Sequence, residues 1–412
     1  MKLRRVAVPV VLGVLLAVAA FVATTTATGS AGSQVKAPPD MAARGRYLAA
    51  AADCAACHTA PGGAPYAGGL AMQSGFGTIY ATNITPDPEY GIGRWTAADF
   101  WRALHDGIAR GGRHLYPAMP YTSYRGMTRA DSDAIYAYVM QLHAARVPNR
   151  KTNLSFPYNI RLGMVAWNAL FLTDHIPSAS SGSSQAWWRG RYLVDVLGHC
   201  GECHTPRGWL GQMKLSRPMA GFALGRFAAP DVTPAGLAAR GWTGKALATF
   251  LATGLAPQGW AFGNMYPVIV LSTQHLKGAD LKAVATYLLG DHPPVPAPLP
   301  GAAADTEGGA GRAAYVAVCA GCHGLDGSGE PDTVVAMRDN SVLRLSDPRN
   351  LIQAILHGIT AQNFPDQESM QAMPGFADKL SDAQAADLAN YLRATWGGQK
   401  PDVTAATVRA LR

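Results

Sequence analysis

All six cysteines of this 412-residue chain fall in three copies of one pentapeptide. The copies are Cys54-Ala55-Ala56-Cys57-His58, Cys200-Gly201-Glu202-Cys203-His204 and Cys319-Ala320-Gly321-Cys322-His323. Composition alone yields about 0.002 chance matches per chain, so three copies are not accident. Three disulfides would suit an exported chain, but they leave the His after every second Cys unexplained. Zinc would take two Cys-x-x-Cys pairs per metal and leave one over. A redox dithiol needs neither the His nor the triplication. The pattern fits c-type haem attachment. On one helical turn, residues i, i+3 and i+4 share a face. Two thiols can then form thioethers to a porphyrin edge while the His ring reaches the iron from the same side. The expectation is three haem c groups, on Cys54 and Cys57, Cys200 and Cys203, and Cys319 and Cys322, with His58, His204 and His323 as axial ligands.

The rest of the chain repeats in step with these motifs, which makes a repeat architecture the first thing to test. Before each motif stands a short helical pattern: Gly45-Arg46-Tyr47-Leu48, Gly190-Arg191-Tyr192-Leu193, and Gly311-Arg312 with Tyr315. In mid-repeat an amphipathic helix ends in a glycine, a C-cap signal, at Gly107, Gly254 and Gly358. Each repeat closes with a helix, over Thr128 to Met140, Lys277 to Leu289 and Ser381 to Trp396. Each of these carries a late tyrosine, Tyr138, Tyr287 or Tyr391, read as a core aromatic at a helix crossing. The expected fold is mostly α: three tandem class-I cytochrome-c-like domains with long irregular loops. Their expected spans are 39–150, 185–292 and 306–400. A linker over 151–184, a Pro-rich linker over 293–305 and a tail over 401–412 complete the chain. Units of this size bury little apolar surface alone, so folding is expected to depend on the haem as a core body.

A sixth iron ligand is sought between the middle and last helices. Met119 in Pro117-Ala118-Met119-Pro120, Met265 in Asn264-Met265-Tyr266-Pro267 and Met373 in Ala372-Met373-Pro374-Gly375 occupy that place. Sixty-one residues separate His58 from Met119 and His204 from Met265, and fifty separate His323 from Met373. His/Met ligation is common in electron-transfer cytochromes. The nearby prolines stiffen an extended loop that offers the ligand with no helix beneath it. Two rivals stand for the first site, His105 and His114. Six-coordinate iron has no open position for a substrate, which argues for electron relay and against chemistry at iron.

The first 32 residues have a signal peptide's regions: Lys2, Arg4 and Arg5, then Val6 to Ala23 apolar, then small residues. Cleavage is expected, with an uncleaved membrane anchor as the alternative. Loss of the three basic residues takes the net charge from +8 to +5. No Lys/Arg run or basic stripe appears, so nucleic acid is not an expected partner.

Longer stretches resemble the triheme cytochrome c subunits of bacterial membrane-bound dehydrogenases for alcohol, gluconate, sorbitol and fructose. They are Gly77-Thr78-Ile79-Tyr80-Ala81-Thr82-Asn83-Ile84-Thr85-Pro86-Asp87-Pro88, Gly91-Ile92-Gly93-Arg94-Trp95 and His114-Leu115-Tyr116-Pro117-Ala118-Met119-Pro120-Tyr121. Later come Cys203-His204-Thr205-Pro206-Arg207, Ser272-Thr273-Gln274-His275-Leu276 and Met373-Pro374-Gly375-Phe376-Ala377-Asp378. The resemblance covers nearly the whole mature chain. It implies a large dehydrogenase partner, PQQ- or FAD-linked, with a possible small subunit, and ubiquinone as acceptor. It also implies a place at the periplasmic face of the bacterial inner membrane. The second repeat departs from it, since Pro230-Asp231-Val232-Thr233-Pro234 is a degraded Asn-Ile-Thr-Pro segment.

The loop from Ala81 to Trp95 has two readings. Asn83, Thr82, Thr85 and Trp95 could donate to haem propionates, or the loop is a turn built by Asn, Pro and Gly. The apolar stretch Phe156 to Leu172 is expected to pack or dock within a complex, with the membrane surface as the alternative. Electron relay for a molybdenum aldehyde or heterocycle oxidoreductase, a free periplasmic shuttle and a haem enzyme are the competing functions.

Overall fold

A computed structural model of the chain describes residues 39–173, 183–298, 309–331, 333–365 and 370–412. The expected signal peptide lies outside these residues. In chain order the first segment holds α1 (Pro39–Ala51), α2 (Cys54–His58), the hairpin β1 (Ala71–Ser74) and β2 (Gly77–Tyr80), and α3 (Ala97–Asp106). The pair β3 (Ile108–Ala109) and β4 (Arg113–His114), α4 (Tyr121–Tyr124) and α5 (Arg129–Val139) complete it. After it come β5 (Asn153–Leu154), which adds to the edge of β2, and α6 (Gly163–Phe171). The second segment begins with α7 (Gln185–Arg191), which runs into a π-helical turn, Tyr192–Leu197. Then follow α8 (Gly201–His204), the hairpin β6 (Ala220–Leu224) and β7 (Phe227–Asp231), α9 (Pro234–Ala239) and α10 (Gly244–Thr253). The pair β8 (Leu255–Ala256) and β9 (Gly259–Trp260), α11 (Met265–Leu271) and α12 (Gly278–Leu289) close it. The third holds α13 (Ala310–Val318), α14 (Ala320–His323), α15 (Arg349–His357), α16 (Asp382–Gly397) and α17 (Ala405–Leu411).

Local chemistry starts and stops the middle helices where the sequence pattern placed them. Thr96 caps α3 in a capping box with Asp99, and Thr243 caps α10 by accepting from the Ala246 amide. Gly107 and Gly254 end these helices in the left-handed conformation, at φ 65° and 79°, which glycine adopts without a Cβ clash.

One helix crossing recurs three times, α1 on α5, α7 on α12 and α13 on α16. Gly45, Gly190 and Gly311 make the close approach. A Cβ on Gly45 would stand 1.8 Å from the Ala134 carbonyl oxygen. On Gly190 it would stand 1.9 Å from that of Ala283, and on Gly311 2.3 Å from that of Asp387. The Cβ atoms of Tyr138, Tyr287 and Tyr391 lie at the same three points. Glycine and late tyrosine are thus two sides of one contact.

The first two segments share a single apolar core that includes Leu48, Ile135, Val194, Leu197, Leu281 and Leu288. Their junction is reciprocal. Tyr47 donates to Asp280 at 2.6 Å, and Tyr192, its counterpart, donates to Asp131 at 2.6 Å. Arg44 pairs with Asp131 and Arg189 with Asp280. The third segment has its own core, around Tyr315, Leu351, Ile355, Leu388, Leu392 and Trp396. The tail is more than the short end read from sequence. Its α17 packs on α15 and α16, Val408 is fully buried, and Arg409 and Arg412 pair with Asp382.

Candidate haem-attachment sites

Each Cys-x-x-Cys-His motif forms one helical turn, so both thiols and the imidazole come from a single rigid element. None of the six cysteines is in a disulfide. Burial pushes the thiols of Cys54 and Cys200 up to about 12 and those of Cys57 and Cys319 up to about 11. Burial raises Cys203 as well. Such thiols are poor nucleophiles in place, consistent with apolar surroundings rather than a reactive dithiol.

The three histidines share one geometry. Nδ1 of His58 faces the Thr82 carbonyl at 2.6 Å, Nδ1 of His204 faces that of Pro230 at 2.7 Å, and Nδ1 of His323 faces that of Val335 at 3.0 Å. A carbonyl oxygen only accepts, so Nδ1 carries the proton and donates it. Burial, the largest effect on each ring, lowers its pKa and favours the neutral form. Nε2 is left with its lone pair, the form that ligates a metal. Sequence reading missed these carbonyls, though a signal was present. Thr82 and Pro230 stand at the same place, just before Asn83 and Asp231, in the two copies of one turn.

That turn settles part of the loop question. The Asn83 side chain accepts from the amide and hydroxyl of Thr85, and its amide group donates to the carbonyls of Ala145 and Val147. Asn83 is 2 % exposed and Thr85 fully buried. Their donors are spent within the protein, so these two residues build a turn and do not reach a propionate. The second copy, though altered in sequence, folds the same way: Asp231 accepts from the amide and hydroxyl of Thr233 at 2.8 and 2.6 Å.

Met119 and Met265 lie half-buried against the shared core that also takes up Cys54 and Cys200. Met373 lies against the third core, which contains Cys319. Met119 precedes the turn α4, and Met373 pairs with Ile359 in a single β-bridge. Met265 differs from expectation. It is the first residue of α11 rather than part of an extended loop, because Pro267, lacking an N–H, is tolerated in a helix's first turn. Of the rivals at the first site, His105 stacks on Trp101 and its Nδ1 lies 2.7 Å from Asp106, which ties it to α3. His114 keeps a buried Nδ1 without a hydrogen-bond partner.

A family model for cytochrome c matches residues 42–143 and 309–396. The cytochrome c subunit of the quinone alcohol dehydrogenase of Gluconacetobacter polyoxogenes is 38 % identical over 411 residues, 93 % of this chain and 87 % of that one. The gluconate 2-dehydrogenase cytochrome c subunit of Pantoea cypripedii is 38 % identical over 401 residues, 90 % of this chain and 89 % of its own length. This chain belongs to the dehydrogenase cytochrome c subunits. A nicotinate dehydrogenase subunit of Pseudomonas putida is 44 % identical over 370 residues, 88 % of this chain; the match spans 31 % of that longer protein. A dehydrogenase cytochrome c subunit transfers electrons and holds haem c covalently. The residues here fit that group, since unpaired thiols and a neutral imidazole with a free Nε2 sit together on one turn.

Proposed function

We propose that the chain carries three haem c groups in three tandem domains and relays electrons from a dehydrogenase subunit to ubiquinone. Cys54 with Cys57, Cys200 with Cys203, and Cys319 with Cys322 hold the porphyrins. His58, His204 and His323 hold the irons on one side, and Met119, Met265 and Met373 on the other. The observation that carries this reading is the threefold arrangement of a His, fixed through Nδ1 on a backbone carbonyl, beside two unpaired thiols. Bound haem supplies one-electron redox chemistry, its potential set by axial ligand, burial and hydrogen bonds. The chain's own residues orient the imidazoles and keep water from the sites, and oxidation of the substrate falls to the partner.

The partner is a PQQ- or FAD-linked subunit, with or without a small subunit, that acts on an alcohol, sugar or sugar acid at the periplasmic face of the membrane. The names of the alcohol and gluconate dehydrogenase relatives support this reading. The nicotinate dehydrogenase relative favours a second one, the same relay for a molybdenum enzyme that oxidises aldehydes or heterocycles. Phe156, Ile160, Leu162 and Leu170 flank and line α6 as an exposed apolar strip, and the Trp167 indole ties α6 to Leu210, beside Trp209, which is 82 % exposed. This strip is the docking surface within the complex. Among the described residues no helix is long and apolar enough to cross a membrane.

Reduction by substrate tests the proposal. The tagged chain is purified from native membranes in detergent, and its visible spectrum is followed as ethanol, gluconate, fructose, sorbitol, an aldehyde or nicotinate is added. Rapid appearance of reduced c-haem bands with one of them identifies the donor class. Reduction by dithionite alone, with no second subunit present, would sink the complex and favour a free shuttle.

A further inference from the structure

Two arginines meet at the boundary between the second and third segments. Arg240, 6 % exposed, follows α9; its Nη2 donates to the Asp231 carbonyl at 2.6 Å, and its Nε is buried with no partner. Arg344 comes from the third segment. Its Nη2 reaches the Pro298 carbonyl at 3.3 Å, and its Nη1 is buried with no partner. Both line a cleft of about 700 Å³, walled by the β6–β7 hairpin on one side and by residues 344–347 and 397–399 on the other. Burial, offset by Asp231 and reinforced by Arg344, pushes the Arg240 guanidinium down to about 10.

The carboxylates that line the cleft are already engaged. Asp231 accepts from the amide and hydroxyl of Thr233, and Asp347 pairs with Arg349 at 2.9 Å. The Arg240 guanidinium is out of water and that of Arg344 partly so, and each keeps a buried N–H lacking an acceptor, which is costly unless an anion joins them. The planar guanidinium fork matches a carboxylate. Location indicates which carboxylate. Arg240 is fixed to the backbone of Asp231, and the adjacent Pro230 carbonyl fixes His204, so one strand positions the arginine and the axial ligand. In the first segment Arg94 is exposed.

We propose that Arg240 and Arg344 together bind a propionate carboxylate of the haem held at Cys200, Cys203 and His204, so that the third segment completes the second segment's cofactor site. This rests on the haem assignment made above. The two arginines would give the second repeat the kind of propionate contact that sequence reading sought in the first repeat's loop from Ala81 to Trp95.

A free oxyanion would satisfy the same pair of arginines, so the test separates the two sources. The detergent-purified complex is titrated by spectroelectrochemistry, as wild type and with Arg344→Gln or Arg344→Lys, without phosphate and with added inorganic phosphate. Met265→Ala in the same buffer marks the second haem's wave. Removing a cation beside the haem favours the ferric state. Arg344→Gln is therefore expected to lower that wave alone, by about tenfold in the redox equilibrium, or about 59 mV. Arg344→Lys should restore most of it, and phosphate should change nothing. Three haems per chain with no wave moved by Arg344→Gln would overturn the proposal. So would a wild-type wave that responds to phosphate and loses the response in Arg344→Gln, since the anion would then come from solution. A haem content below three would overturn the haem assignment instead, so the two failures are distinguishable.

Discussion

The two junctions between segments are made differently. Between the first and second, contacts come in matched pairs: Tyr47 to Asp280 and Tyr192 to Asp131, the Lys277 amide to Tyr47 and the Thr128 amide to Tyr192. Equivalent residues contact equivalent residues across the join, the signature of an isologous interface, here within one chain. Between the second and third, contacts run one way. Phe364 covers Gly254, where in the first segment Tyr121 covers Gly107 from within. Asn350 brackets the backbone of Ala228, and Trp260 donates to Gln362. The third helix pair lacks the matched groups: Ala313 stands where Tyr47 and Tyr192 stand, and Gln384 where Asp131 and Asp280 stand. An isologous pair consumes its own interface, so a third copy must attach elsewhere with other residues.

If this is right, the first two segments should melt as one body and the third as another. The largest effect tests it at the helix crossings. Gly190→Ala places a Cβ against a backbone carbonyl that cannot move aside cheaply, at a cost of about 3 kcal/mol or more. Because the core is shared, calorimetry should show the first and second segments losing stability together. Gly311→Ala should lower only the transition of the third. An effect of Gly190→Ala confined to the second segment would break the comparison.

Phe364→Ala strikes the one-way junction. The ring is 5 % exposed and packs on the second segment's core, with Tyr266 at 5.4 Å. Truncation should cost about 3 kcal/mol and pull the two transitions apart in temperature. Were the separation between the two transitions to stay unchanged, coupling would have to come from elsewhere, with Asn350 and Gln362 the next residues to change.

Sequence reading reached the recurrent parts because their causes are local. The attachment motifs, the glycine caps at 107 and 254 and the closing helices each depend on a few adjacent residues. It missed what depends on contacts between distant residues. Gly45, Gly190 and Gly311 were visible as a pattern, but the carbonyls they approach lie about 75 to 95 positions further on. Tyr47 and Asp280 are 233 positions apart, and no periodicity links them. The helix at Met265 was missed because a Pro two residues on reads as a breaker, although a helix's first turn accepts it. The guanidinium pair was out of reach as well, since Arg240 and Arg344 come together only when two repeats are docked.

The matched pairs themselves allow a smaller test. Tyr47→Phe and Tyr192→Phe each remove a hydrogen bond to a carboxylate, about 1.5 kcal/mol apiece. Matched geometry predicts nearly equal falls in the first transition and no change in the third. A fall twice as large in one variant as in the other would show that the two ends of the interface are not equivalent.

The smallest effect concerns pH. Hydrogen bonds from Arg189 first, and then from Tyr47, hold the Asp280 carboxyl below its ordinary value. A depressed folded-state value means that the unfolded chain binds this proton more readily. The stability it contributes is therefore present above the ordinary carboxylate range and is lost as pH falls through the folded value. Since the pair is partly exposed, screening limits this to a few tenths of a kcal/mol. Between pH 5 and pH 3, the melting temperature of the first transition should fall slightly more steeply in the wild type than in Asp280→Asn. The third transition, whose helix pair Asp280 does not touch, should show no difference between the two proteins. Equal slopes in the first transition would mean that Tyr47 and Arg189 hold Asp280 by geometry alone, with its charge contributing nothing across the join.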